Sequence, residues 1–504
     1  GATDGKWLKF LTFRLQPLAI GRPSALDAMP ADSAADLLDS TYWCSLIGLR
    51  REVHMNPEPG FREERTQKRI KEILTKFAGI PESRIRAAAI TGLIVDIVGT
   101  GEPRPEASVK CVALRSDIDA LTMTEGNNNL PYRSKNEGTA HLCGHDGHIA
   151  SLVGAALLIS KRADRIPSNC TIRLLFQPAE ESTPPGTAGF DFSKTGGGGA
   201  VPMIWDKCMD GVDEVYGWHN WPEWNVGNII VKSGAVMAHT SSFKVVITGR
   251  GGHGSQPHVC VDPIVCGCAV VTALQTIVSR SVQSSQNSVV TVGQFHAGER
   301  NNVIPDTATI SGTIRDVNEE VFNTIKKRFH AIVDGVCKGY GCTAEVDILS
   351  QYPAVMNHEE QTEIVKRCAA TLTGDLALKQ TSEGLPILGG EDFSYYLQEK
   401  PGCFFFLGTN ELLLQGLSTY SGSEEMRSNC GCHNTAYDFN DNVLPRAVMM
   451  YVRIVEDRFG VSLYTQEEVM SASFDVTGGA KPAAKEDSKE KEAEAADCCE
   501  KDRV

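Results

Sequence analysis

Val109-Lys110-Cys111-Val112-Ala113-Leu114, closely followed by Asp117 and Asp119, is the stretch that decides the fold. An apolar run this short, with two acids just beyond it, reads as a strand that delivers polar groups to one rim. Similar runs recur at 93–98, 172–176, 214–217 and 403–407. Helical patterns separate several of them, one beginning near Ala34 and running to Arg51, another covering 149–161. Continuous apolar strands alternating with helices predict an α/β fold with a mostly parallel central sheet covered by helices. Glu180 and Glu181 follow the 172–176 run and His219 follows the 214–217 run. In open α/β sheets ligands bind beyond the carboxyl ends of strands, so several segments bring metal-type side chains to one edge.

Between 237 and 352 the pattern changes. Residues 242–248, 288–293 and 308–314 alternate as half-buried antiparallel strands do, with helices near 262–280 and 317–337. This predicts a smaller inserted α+β unit, a lid or dimerisation domain, splitting a catalytic domain into 39–236 and 353–464. Residues 1–38 read as a poorly ordered lead-in and 471–504 as a disordered charged tail.

Composition narrows the function classes. A length of 504 residues suggests two domains, and 41% apolar with 22% charged residues is ordinary for a globular protein. No stretch reads as approaching the roughly 18 apolar residues of a membrane span. The net charge of -14 argues against nucleic acid or an anionic membrane as partner. Sixteen cysteines without a disulfide-framework spacing read as mostly reduced thiols of a cytoplasmic protein.

The densest chemistry lies in His141-Leu142-Cys143-Gly144-His145-Asp146-Gly147-His148. Thiolate and imidazole suit zinc and related divalent ions, and carboxylate also suits manganese. Cys143 and His145 flank a single glycine, so both can address one centre. His141 and His148 read as supporting residues, and Asp146 as a group behind the ligands. In Gln177-Pro178-Ala179-Glu180-Glu181, adjacent carboxylates at a strand end face different ways, which suits one to metal and the other to activating water.

In chain order, the segments His54-Met55-Asn56-Pro57-Glu58, 113–121, Cys143-Gly144-His145-Asp146-Gly147-His148, 176–181, 251–258, Asn302-Val303-Ile304-Pro305-Asp306 and Gly390-Glu391-Asp392-Phe393-Ser394 form a specific series. On them the chain resembles the aminoacylase/carboxypeptidase family of dinuclear metallopeptidases, in the branch of hippurate hydrolases, N-acyl-amino-acid amidohydrolases and auxin-conjugate hydrolases. The resemblance spans roughly 40–460. It implies Cys143, His145, Glu181, His219 and His433 as ligands of two divalent ions, Zn or Mn, with Co or Ni accepted in vitro. It implies Glu180 as general base toward a metal-activated water, and His253 as a residue reaching an active site across a homodimer or dimer of dimers. Asn302 and Arg315 stand where such enzymes hold a substrate carboxylate. The implied reaction is hydrolysis of the amide bond of a small N-acyl or aminoacyl amino acid. Alternatives are a carboxypeptidase or dipeptidase on short peptides, a catalytically silent binding protein on the same scaffold, and a metal-free thiol hydrolase using Cys143.

The chain departs from the branch at several points. Pro59 replaces a common Leu, Cys432 replaces a common Leu before His433, and Thr435 replaces a common Pro. Extra segments at 182–195 and 412–429 adjoin implied ligands and are expected to reshape the substrate rim.

Overall fold

The computed structural model of the protein describes residues 40–181, 198–410 and 430–471. The lead-in, both extra segments and nearly all of the tail therefore lie outside the described residues.

The expected central sheet is present, with eight strands. Their spatial order is Ile85–Ala88, Gly92–Val98, Thr171–Gln177, Cys111–Asp117, Glu214–Asn225, Gly402–Asn410, Asn228–Ile230 and Lys379–Thr381. The four central strands run parallel to one another, and antiparallel pairs lie toward the edges. All seven residues of Cys111–Asp117 and all nine of Gly402–Asn410 are buried, as strands covered on both faces should be. One cover is the helix His145–Lys161, buried from His145 through Ile159 and packed against Leu444–Phe459 and Ser40–Met55. The described part of the first expected helix is Ser40–Met55; residues 34–39 lie outside.

His219 requires a correction. It does not follow its strand but lies inside it, because Glu214–Asn225 continues through Trp218, Trp221 and Trp224 while pairing with Gly402–Asn410. Ladder hydrogen bonds to a neighbouring strand extend the element beyond its apolar run.

A second sheet has its own core. Strands Ser288–Ala297, Thr307–Asp316, His239–Thr248 and Thr343–Ser350 form an antiparallel sheet in that order. Phe243, Val245, Ile247, Ile310 and Ile314 pack from its inner face on Ile325, Phe329 and Val333 of the helix Glu319–Gly339. Asn318 caps that helix, accepting from the Val321 N–H at 2.9 Å. The expected helix near 262–280 is two helices, Pro263–Leu274 and Thr276–Ser281. Contrary to the sequence reading, the stretch Pro263–Ser281 reaches the length and mean hydropathy (1.5) of a membrane span. Within it Cys266, Val270, Leu274 and Ile277 pack into the core of this second unit.

Candidate metal centre

The rim of the central sheet gathers the polar groups. Helix His145–Lys161 starts from Gly144, at φ 88°, where an added Cβ would meet Asn220 Nδ2 at 2.3 Å and the Tyr437 hydroxyl at 2.5 Å. Only glycine fits, and it lets Cys143 and His145 share one centre. Ala179 takes φ 51° just before the acidic pair. Its N–H donates to Glu63 Oε1 at 2.9 Å and its carbonyl accepts from Gly199 at 3.0 Å, bonds that hold a backbone conformation costing about 1 kcal/mol or more. Burial pushes the Glu63 carboxyl up to about 8.

Hydrogen bonding fixes which nitrogen of each histidine is free. His145 Nδ1 lies 3.0 Å from the Asp119 carbonyl and 3.2 Å from Asp119 Oδ1, so Nδ1 carries the proton. Among the described residues its buried Nε2 has no hydrogen-bond partner; it lies 3.8 Å from Asp117 Oδ2, 3.9 Å from Glu181 Oε1 and 4.0 Å from Glu180 Oε2. His219 Nδ1 donates to the Asn220 carbonyl at 2.6 Å, which turns its Nε2 lone pair toward Cys143 Sγ at 3.5 Å. His433 Nε2 lies 2.8 Å from Glu181 Oε1. Donor atoms of Cys143, His145 and Glu181 all lie within 4.8 Å of one another.

A buried imidazole nitrogen that no hydrogen bond among the described residues satisfies, with a thiol and carboxylates alongside, is an arrangement that divalent metal ions complete. A second grouping, Asp117, His145, His148 and His219, is equally compact. Its His148 is fully committed, however. Nδ1 donates to Asp117 Oδ1 at 2.7 Å, and Nε2 accepts from the Asn220 N–H at 3.0 Å. His148 is thus a support. Asp146 turns away from the centre toward Arg50 Nε (3.2 Å) and His54 Nδ1 (2.9 Å). His141 is buried, and burial pushes it down to about 3.

Glu180 faces a different neighbourhood. It clusters with Glu391 and Asp392, all three buried. Arg115, buried in the central strand, donates to Asp117 at 2.7 Å, Glu391 at 2.9 Å and Asp392 at 3.2 Å, while Gln177 Nε2 donates to Asp392 at 2.8 and 2.9 Å. One guanidinium faces more carboxylates than it can neutralise. Burial, then Glu391, Glu181 and Asp392, therefore hold the Glu180 carboxyl well above its ordinary range against the pull of Arg115. Glu391 is pushed up to about 8 and Asp392 to about 6, chiefly by burial. A carboxylate raised this way can take a proton from water and give it back.

A family model described as peptidase family M20/M25/M40 matches residues 113–457. The chain belongs to this family. It is 41% identical over 372 residues to an N-acetyl-L-cysteine deacetylase of Bacillus subtilis, covering 74% of this chain and 82% of that one. It is 38% identical over 365 residues to thermostable carboxypeptidase 2 of Saccharolobus solfataricus, covering 72% and 86%. The crystal structure of the Bacillus subtilis YXEP protein, a dinuclear metal-binding peptidase of the M20 family, superposes with a TM-score of 0.64 at 30% identity, covering 84% of this chain and all of that one. As a member of the M20 family the chain is a hydrolase of the metallo-amidohydrolase type.

One open cavity in this M20 chain is lined by Cys143, Glu180, Glu181, His219, His433 and Arg315, with Trp221, Met237 and Tyr352 on its walls. Arg315 is half-buried, and burial lowers its pKa. Among the described residues no carboxylate pairs with it. His253 and Asn302 are elsewhere: both are exposed at the small antiparallel strand pair Gly252–His253 with Val303–Ile304, where the Gly254 N–H donates to the Asn302 carbonyl at 2.8 Å. Sequence reasoning placed Asp117 only among the polar groups delivered to the rim and gave no role to Arg115, Glu391, Asp392 or Asn220. An arginine inside an apolar strand was the available signal, because a buried guanidinium requires buried counter-charges.

Proposed function

We propose that the protein hydrolyses the amide bond of N-acyl amino acids, with Cys143, His145, Glu181, His219 and His433 holding two divalent ions and Glu180 as general base. The observation that carries this reading is the convergence of His145 Nε2 and His219 Nε2 on Glu181 and Cys143, beside the Glu180 carboxyl held well above its ordinary range. The ions, zinc or manganese by the mixed sulfur, nitrogen and oxygen donor set, would supply Lewis-acid polarisation of the acyl carbonyl. Glu180 takes the proton of the attacking water and returns it to the leaving amine. Arg315, a cation in the cavity without a carboxylate partner, pairs with the substrate's free carboxylate. Asn302, beside His253 and like it outside the cavity of its own chain, assists at the carboxylate bound in a second protomer.

His253 reaches the cavity of a second protomer in a homodimer, with the unit 237–352 acting as lid and dimerisation surface. Its Nδ1 accepts from the Ser255 N–H at 3.1 Å, which leaves the proton on Nε2, ready to donate to a developing oxyanion. The net charge of -14 and the free thiols among the described cysteines fit work in the cytoplasm, away from nucleic acid and membrane.

The deacetylase and carboxypeptidase relatives support acyl and aminoacyl amino acids respectively. Steady-state kinetics on acetyl, benzoyl and indole-acyl amino acids and on dipeptides, each with Mn, Zn and Co, separates them. The reading predicts metal-dependent release of a free amino acid from the acyl series. Preferred cleavage of dipeptides would move the assignment to a dipeptidase. Metal-loaded protein with no turnover of any member would sink both and favour the silent binding protein.

A further inference from the structure

Two segments face each other at the centre, each with a cysteine ahead of a histidine: Cys143-Gly144-His145 and Cys432-His433. The His433 N–H donates to the Leu142 carbonyl at 2.8 Å, clamping one segment on the other, with His433 held at φ 66°. The Cys432 thiol lies 3.9 Å from the Cys143 carbonyl oxygen and 4.0 Å from Asn220 Oδ1, which places it against the backbone of Cys143. Asn220 Oδ1 is already taken by the Tyr437 hydroxyl at 2.6 Å. Both cysteines line the open cavity, Cys143 buried and Cys432 half-buried.

Another sulfur pair, Cys266 and Cys337 at 3.7 Å, sits in the apolar core of the second unit, beyond reach of a dissolved oxidant. The pair at the centre differs on two counts: solvent reaches it, and one member belongs to the donor set.

We propose that Cys143 and Cys432 form a reversible disulfide when the centre holds no metal, closing the centre to metal until the bond is reduced. This rests on the reading of Cys143 as a ligand. With a peroxide as oxidant, the Cys432 sulfur attacks one oxygen; an S–O bond forms, the O–O bond breaks, and one water leaves. The Cys143 sulfur then attacks the sulfur of that sulfenic acid; the S–S bond forms, the S–O bond breaks, and a second water leaves. Both thiol hydrogens end in water, and the peroxide takes two electrons. Cys143 engaged as a ligand cannot make the second attack. Once linked to Cys432, its sulfur is no longer a thiolate and the donor set loses its soft member.

The test treats the full chain, zinc-loaded or with zinc withdrawn stepwise by a chelator, with limiting hydrogen peroxide. Free thiols are then alkylated and the chain is mapped by peptide mass without reductant. The expected product joins the peptides bearing Cys143 and Cys432, lighter by two hydrogens, with a yield that tracks the metal-free fraction. It is lost in Cys432→Ser and kept in Cys430→Ser, and the oxidised chain fails to take up zinc until a thiol reductant is added. Alkyl groups on both Cys143 and Cys432 after peroxide, or a link to Cys430 instead, would overturn the proposal. Equal linkage in the zinc-loaded chain would overturn the metal gate, and with it Cys143 as a ligand, while leaving the sulfur contact intact.

Discussion

The buried rim of the central sheet and the exposed strand pair around His253 both present histidines, but under opposite constraints. At the rim His145, His148 and His219 each have Nδ1 tied to a protein acceptor, and the environment decides what Nε2 may do. The Nε2 atoms of His145 and His219 face Glu181 and Cys143, while that of His148, whose ring lies 5.5 Å from that of His145, is taken by the Asn220 N–H. On the exposed strand pair, Ser255 sets the tautomer of His253, but the ring stands in solvent away from the cavity of its own chain. A rim prepared within one chain and a donor left outside it are complementary halves if two chains meet.

The largest break in the comparison comes from His253→Ala, expected to lower kcat by about 10²–10³-fold, the typical effect of losing an oxyanion donor. Mixed dimers of His253→Ala with Glu180→Gln should regain activity, since one of the two sites then receives an intact Glu180 and an intact His253. Failure to complement would place His253 within its own chain or outside the reaction. On the rim side, Asp117→Asn leaves one acceptor oxygen where two were used, so either the His148 Nδ1–H or the Arg115 guanidinium loses its partner while all five inferred ligands stay unsubstituted. Metal affinity by competition with a chelator should fall about 10–100-fold, as for groups that orient ligands. Arg315→Ala should raise KM roughly tenfold with kcat nearly unchanged, the mark of a binding contact. Equal loss on a substrate lacking the free carboxylate would remove that assignment.

The smallest effect concerns stability. Burial lowers the pKa of His54, but hydrogen bonds with Asp146 and Glu125 outweigh it and hold the ring at about 9, above its ordinary 6.5. A folded pKa raised in this way contributes stability that is full below pH 6.5 and fades as pH rises through 9. Urea midpoints measured from pH 6 to 10 should show this decline, on the order of 1–3 kcal/mol, and His54→Gln should flatten it. A slope unchanged in that variant would exclude His54 as its source.

Much of this was legible in the sequence. The apolar runs foretold the central strands, and the density of donors in 141–148 pointed to a metal centre. What pattern reading could not supply is long-range pairing. Arg115 meets Glu391 and Asp392 from more than 270 positions away, and Cys432 meets Cys143 across 289. Local composition does not register such contacts. The reach of His219's strand depended on a neighbour formed late in the chain. The free and committed histidine nitrogens are set by acceptors such as the Asp119 and Asn220 carbonyls, which any residue type would provide.

The most direct test of the account is Glu180→Gln, assayed for both metal content and turnover of an N-acyl amino acid. Two divalent ions per chain with kcat reduced by about 10²–10⁴-fold is the predicted result, since the ligands are untouched and only the proton carrier is gone. Wild-type turnover in that variant would contradict it.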